Sequence, residues 1–256
     1  MSKVALITGS TSGIGKAIAI AFAKAGYDIM FHGLENNGAE IAAKIGKENG
    51  VKVGFSNANL MEQPAIEKMV ETTLAQFGKI NILINNAGIQ HVAKIEEFPL
   101  EKWNAIIAVN LSAVFIASKA VWPGMQKNRF GRIINISSVH GLRASEYKSA
   151  YVSAKHGVIG LTKVLGLEGA GQNITCNAIC PGYVKTPLVE GQIEDQAKTH
   201  GMSQDEVVKK VMLKKQAVKE FIPTEKIAET ALFLANEDAS TITGTAIVLD
   251  GGWSAQ

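Results

Sequence analysis

Short unbroken apolar runs alternate along this chain with longer stretches whose apolar positions recur three and four apart. Residues 4–8, 29–32, 51–56, 80–84, 132–137, 174–180 and 246–249 are runs of the first kind, and they predict strands. Residues 16–24, 64–77, 100–125, 148–167 and 224–235 carry the second period and predict helices. Pro64 falls in the first turn of its helix, and Thr224 stands at the N-cap position of the last one. Strands without internal polar alternation, separated by helices, are covered on both faces. The expected fold is therefore α/β: a Rossmann-type, doubly wound parallel sheet of about seven strands. Residues 188–221 break the rhythm. They are charged and amphipathic, interrupted by Gly191 and Gly201, and predict a helical flap laid over a site. With no linker, repeat or low-complexity stretch, residues 1–256 are expected to form one domain.

Composition narrows the function. The chain has 256 residues, 46% of them apolar, which suits one large core. Its net charge of +3 is mixed along the chain without a basic block, so no nucleic-acid partner is expected. Lys209, Lys210, Lys214 and Lys215 lie among apolar residues as a solvated helix face would. The two cysteines, Cys176 and Cys180, share one predicted strand and cannot bridge each other, which suits reduced thiols. No secretory or transit segment is read at the N-terminus, and no apolar run is read as membrane-spanning. The expectation is a soluble, cytoplasmic protein with no membrane partner and no metal site.

Two stretches carry chemistry. Thr8-Gly9-Ser10-Thr11-Ser12-Gly13-Ile14-Gly15 joins the first strand to the first helix. A glycine-rich turn there brings backbone N–H groups and a helix N-terminus against a pyrophosphate, which a Cβ would keep away. After the second strand comes His32-Gly33-Leu34-Glu35-Asn36-Asn37, without Lys or Arg. Glu35 would repel a ribose 2′-phosphate, and Ser12 is uncharged, so NAD is expected over NADP. Tyr151 and Lys155, four apart, fall on one face of a helix, and Ser138 ends the strand before it. A phenol beside an ammonium makes an acid/base usable near neutral pH. Taken alone, Tyr-x-x-x-Lys is a common helix-surface pattern.

Thr8–Gly15, Asn85-Asn86-Ala87-Gly88, Asn110, Ser138, Tyr151 with Lys155, and Pro181-Gly182 together resemble the short-chain dehydrogenases/reductases, in that family's order and over essentially the whole chain. The resemblance implies hydride transfer, with Tyr151 as acid/base, Lys155 lowering its pKa and holding the nicotinamide ribose, and Ser138 orienting the substrate oxygen. Asn110 would hold a water that relays protons to Lys155. Gly9, Thr11, Ser12, Gly13, Ile14 and Gly15 would take the cofactor's phosphates. Leu34, Asn59 and Leu60 would meet its adenosine. Asn86, Gly88 and Val109, and Pro181, Gly182 and Val184, would also bind the cofactor, together with Tyr151 and Lys155. Asn86 to His91, Glu96 to Pro99, Lys102 to Ile106 and Pro187 to Glu190 resemble further the members that interconvert (R)-3-hydroxybutyrate and acetoacetate. In those members a carboxylate is held by residues that fall here on Gln90, His140, Lys148 and Gln192. Tyr183 stands where they usually carry tryptophan, and Asn59 where many carry aspartate. The alternatives are an NADP-dependent 3-oxoacyl reductase, which expects a base near Ser12 or Leu34, another short-chain dehydrogenase, and a non-catalytic binding protein on this fold. The family's common tetramer would form through residues 100–125, 148–167 and 246–249.

Overall fold

The computed structural model describes residues 2–186, 189–190, 193, 197 and 201–255. Among them β1 (Val4–Ile7), β2 (Asp28–His32), β3 (Val53–Ser56), β4 (Ile82–Asn85), β5 (Gly131–Ile136), β6 (Ile174–Pro181) and β7 (Ala246–Leu249) form one sheet. Their order is β3-β2-β1-β4-β5-β6-β7, and every pairing is parallel. The strand period of two splits each run between two cores. Ala5, Ile7, Ile82, Ile84, Ile134 and Ile136 face α1 (Gly13–Lys24), α2 (Gly38–Asn49) and the last helix, Thr224–Ala235. Leu6, Leu83, Ile133 and Cys176 face α3 (Gln63–Phe77), α5 (Ala113–Asn128) and Leu165 of α6 (Ser149–Gly169). A sheet buried on both sides leaves only its strand ends for ligands. The reversal of strand order between β1 and β4 opens a crevice at their carboxyl ends.

Several expectations are corrected. Helix α2 has no counterpart in the apolar pattern, because only Ile41, Ala42 and Ile45 give it a buried edge. Thr224 does not cap the last helix. It is the first helical residue, Pro223 holds the cap position, and the threonine hydroxyl donates to Glu225 instead. The long helical stretch is α4 (Leu100–Ile107) and α5 joined by a π turn, Ala108–Ser112, that contains Asn110. Contrary to the sequence reading, Leu100–Asn128 is long and apolar enough to cross a membrane by length and composition. In this fold the same apolar surface packs on protein: Val114, Ala117, Val121 and Met125 are buried, and Ile106 of α4 meets Ala150 and Ala154 of α6. Cys176 and Cys180 are buried free thiols, as expected.

In the predicted flap the described residues are helical at 189–190, 193, 197 and 204–215 and irregular at 201–203 and 216–221. A short helix, Gln204–Val207, starts at a capping box between Ser203 and Glu206, and continues through a π turn to Met212 and a 3-10 turn at Leu213–Lys215. Ile193, Val207 and Met212 pack with Tyr183, Val189 and Phe221 into a small core of their own.

Candidate active site

The glycine-rich turn is shaped by contacts that admit no side chain. Gly9 and Gly13 have φ of +62° and +53°, and a Cβ on Gly15 would lie 2.1 Å from the Gly9 carbonyl oxygen. Helix α1 begins there with no side-chain cap and no acid in its first turn. Its first N–H groups remain available to an anion, so the turn fits the pyrophosphate of a dinucleotide. Asn86 holds the turn against β4: its Nδ2 donates to the Thr8 and Gly9 carbonyls at 3.0 and 2.9 Å. Thr8 Oγ1 accepts in return from the Asn86 and Ala87 N–H groups.

His32, read from sequence only as a strand end, is a second brace. Its Nδ1 accepts from Gly9 N–H at 3.0 Å and its Nε2 faces the Ala58 carbonyl at 2.9 Å. Burial pushes its pKa down, which keeps Nδ1 free to accept. Beyond it, Leu34 is 69% exposed. Burial alone would raise the Glu35 carboxyl, but hydrogen bonds from the Thr11 and Ser12 hydroxyls hold it below the usual range. Asn59 spends its side chain locally, accepting from Met61 N–H and donating to Glu62. Leu60 and Val109 meet at a small hollow beside Thr8, Asn85 and Ala87.

At the end of β5, Ser138 starts a 3-10 turn and accepts from His140 N–H at 3.1 Å. The His140 ring bridges Ser138 Oγ (3.3 Å) and Ser145 Oγ (3.0 Å). Burial, then the charges of Lys148 and Lys215, push its pKa to about 3, so the imidazole is neutral. Helix α6 presents Tyr151 edge-on to that ring, 5.9 Å between centroids. Lys155 Nζ lies 5.5 Å from the Tyr151 ring centroid and donates to the Ile136 carbonyl at 2.7 Å. In the protein alone Lys155 does not loosen the phenol. Burial pushes Tyr151 up to about 12 against the pull of Ser138, while burial drops Lys155 to about 8. Asn110 is occupied at both ends by Ile89, accepting from its N–H and donating to its carbonyl at 2.9 Å each.

These groups open on a cavity of about 110 Å³ lined by Gln90, Ser138, His140, Lys148, Tyr151, Pro181, Gly182 and Val184, with Ile14 at the cofactor side. Gly88 lies beside Asn110, next to the Gln90 loop. Lys148 is 7% exposed, and among the described residues it has no carboxylate partner. Burial, then the charge of Lys215, drops its pKa to about 8. Gln90 Nε2 is buried without a hydrogen-bond partner. Gln192 lies outside the described residues. Sequence reasoning missed Trp253, which lines the cavity, meets His140 edge-on at 5.3 Å and stacks on Tyr183 at 5.7 Å. A tryptophan just past Gly251-Gly252, at the end of the last strand, was the available signal.

Comparison with known proteins agrees with this geometry. The family model for short chain dehydrogenases matches residues 3–197. A D-beta-hydroxybutyrate dehydrogenase of Rhizobium meliloti is 50% identical over all of both chains. Another, of Cupriavidus necator, is 45% identical over 99% of this chain and 98% of its own. The crystal structure of a single-site variant of actinorhodin polyketide ketoreductase with NADPH superposes with a TM-score of 0.94 at 32% identity, covering 100% of this chain and 98% of that one. Members of the family use a nicotinamide cofactor. With a glycine turn that fits a pyrophosphate and a buried phenol lining the cavity beside it, this chain belongs to the short-chain dehydrogenase family.

Proposed function

We propose that this chain oxidises (R)-3-hydroxybutyrate to acetoacetate, and runs the reverse reduction, with NAD. The observation that carries the reading is a pair of donors in the cavity, the Lys148 ammonium, which has no carboxylate partner among the described residues, and Gln90 Nε2, which has no hydrogen-bond partner. A buried cation without a counter-charge and an amide N–H without an acceptor are costly, and a small carboxylate relieves both. The two relatives named for β-hydroxybutyrate support the same acid. Neutral His140 adds one ring N–H at most, and its bridge to Ser138 fixes where that serine hydroxyl points.

Tyr151 takes the hydroxyl proton in oxidation and returns it in reduction. Ser138 orients the substrate oxygen. When bound, the nicotinamide supplies the hydride acceptor or donor and, oxidised, a positive charge. Lys155, which here donates to the Ile136 carbonyl, would hold the nicotinamide ribose. A water relayed through Asn110 would meet its backbone, since its amide is held by Ile89.

NAD is favoured by the anionic Glu35 beside Thr11 and Ser12, which disfavours a 2′-phosphate, while exposed Leu34 offers the adenosine an apolar surface. The reading is tested by following NADH absorbance on adding (R)-3-hydroxybutyrate and NAD. Oxidation of the (R) acid is expected, with higher kcat/KM for NAD than NADP. No oxidation sinks the substrate, and a preference for NADP sinks the cofactor.

The reaction belongs in the cytoplasm, in keeping with two unpaired thiols. The assembly we infer is a homotetramer. Helix α5 exposes Phe115, α6 exposes Val164 and Leu167, and the edge strand β7 exposes Val248, large apolar side chains suited to subunit contacts. Sedimentation as a monomer at micromolar concentration would rule it out.

A further inference from the structure

Gln216 is completely buried, yet its polar atoms serve main chain on separate segments. Its Oε1 accepts from Tyr183 N–H at 3.0 Å. Its Nε2 donates to the Val218 and Glu220 carbonyls at 3.2 and 2.9 Å. Two glycines make room for it. A Cβ on Gly182 would sit 2.8 Å from Oε1, and one on Gly251 would sit 3.1 Å from Nε2. The Gly251 carbonyl in turn accepts from the Ala217 and Val218 N–H groups at 2.8 and 2.9 Å. Asp250 closes that turn by accepting from Gly252 and Ser254 N–H at 2.9 and 2.7 Å, which sets Trp253 against His140 and Tyr183.

The Gln216 amide therefore ties the loop at 182–184 to the chain leaving the helical segment at 216–220, and the main chain beside it, at Ala217 and Val218, ties that chain to the C-terminal turn at 250–253. Gln216 does not itself line the cavity; Tyr183 and Trp253 do. The job requires an acceptor and a donor at one side-chain tip. An apolar residue of similar size would take this partner from three part-buried main-chain groups, the Tyr183 N–H and the Val218 and Glu220 carbonyls.

We propose that Gln216 is a positioning residue for the substrate, acting through Tyr183 and Trp253 to hold two walls of the cavity at a fixed separation. The proposal rests on the reading of this cavity as the hydroxy-acid site. It gives Tyr183 a second meaning: its side chain walls the cavity while its backbone N–H anchors the loop to the flap. Substrate affinity is then coupled to the chain that leaves the flap, without any contact between Gln216 and substrate.

The experiment uses Gln216→Glu and Gln216→Met in the full chain, with steady-state kinetics and peptide-level hydrogen exchange. Glutamate keeps the acceptor for Tyr183 N–H but, when ionised, turns a carboxylate oxygen on the Val218 and Glu220 carbonyls. Protonated, it donates again. At about pH 8 the KM for (R)-3-hydroxybutyrate is expected to rise about tenfold in Gln216→Glu, with kcat within about twofold. The ratio of mutant to wild-type KM should fall towards one near pH 6, since burial raises a carboxyl pKa. Gln216→Met should show the same rise without recovery at low pH. Exchange should quicken together at 182–184, 216–220 and 250–253 and stay as in wild type through the sheet. An unchanged KM overturns the proposal, as does exchange that quickens only at 216–220 or evenly everywhere. Wild-type protein that fails to oxidise the acid defeats the functional reading alone, and the exchange pattern then decides the role of Gln216 by itself.

Discussion

Tyr151→Phe is expected to lower turnover by about a thousandfold or more, with little change in NADH affinity. Phenylalanine keeps the ring that packs edge-on to His140, so the cavity wall survives and only the O–H is lost. The burial that raises this phenol to about 12 makes it a firm proton donor in reduction. In oxidation the same burial is an obstacle, because the phenol must first give up its own proton. It does so only with a cation at hand, and Lys155, four residues on, is the buried ammonium placed to serve. Oxidation at saturating substrate by the native protein should therefore speed up as pH rises towards about 8, where Lys155 begins to lose its charge, and the residual rate of the variant should not. The cavity holds a second phenol, Tyr183, so Tyr183→Phe is the control. Near-normal turnover in Tyr151→Phe, or collapse in the control, would move the acid/base role away from Tyr151.

Lys148→Met is expected to raise the KM for (R)-3-hydroxybutyrate by about a hundredfold, with a smaller effect on kcat. The ammonium is buried over the Tyr183 ring, 5.6 Å from its centroid, where a charge-assisted bond to a carboxylate is worth most. Its depressed pKa adds a second signature. Below about 8 the free site carries the positive charge, and above it the amine is neutral. Affinity for the acid should thus fall as pH rises through about 8. Bound carboxylate raises the amine's pKa, so the loss belongs to kcat/KM and not to kcat. In Lys148→Met that limb should vanish. An unaltered KM would show that the carboxylate binds elsewhere.

Much of this site could be read along the chain because its parts are local. Gly9 to Gly15 spans one turn between a strand and a helix, and Tyr151 and Lys155 are one helical turn apart. Periodicity put Ser138 at a strand end, and the sheet brought that end level with the Asn86 and Pro181 ends of its neighbours. What stayed hidden was held by partners distant in sequence. His32 joins Gly9 to Ala58, Gln216 joins Tyr183 to Glu220, and Trp253 reaches His140 from the far terminus. None of these residues belongs to a spaced pattern. Helix α2 was missed for another reason: its single buried edge leaves too few apolar positions to register as a period.

Side-chain periods of two and three to four specify which backbone groups pair nearby and which face turns inward. Strand and helix sequence and the glycine turn followed from them because each depends on neighbours within a few residues, and the parallel sheet followed from the alternation of strands with helices. Charge state and direction do not. Whether Tyr151 is loosened or tightened, whether Lys155 turns to a carbonyl, and whether His140 is a cation depend on how much water the assembled walls exclude. Those were settled only when β5, α6, the loop after β6 and the C-terminal turn closed around one cavity, because desolvation and charge act through space and not along the chain.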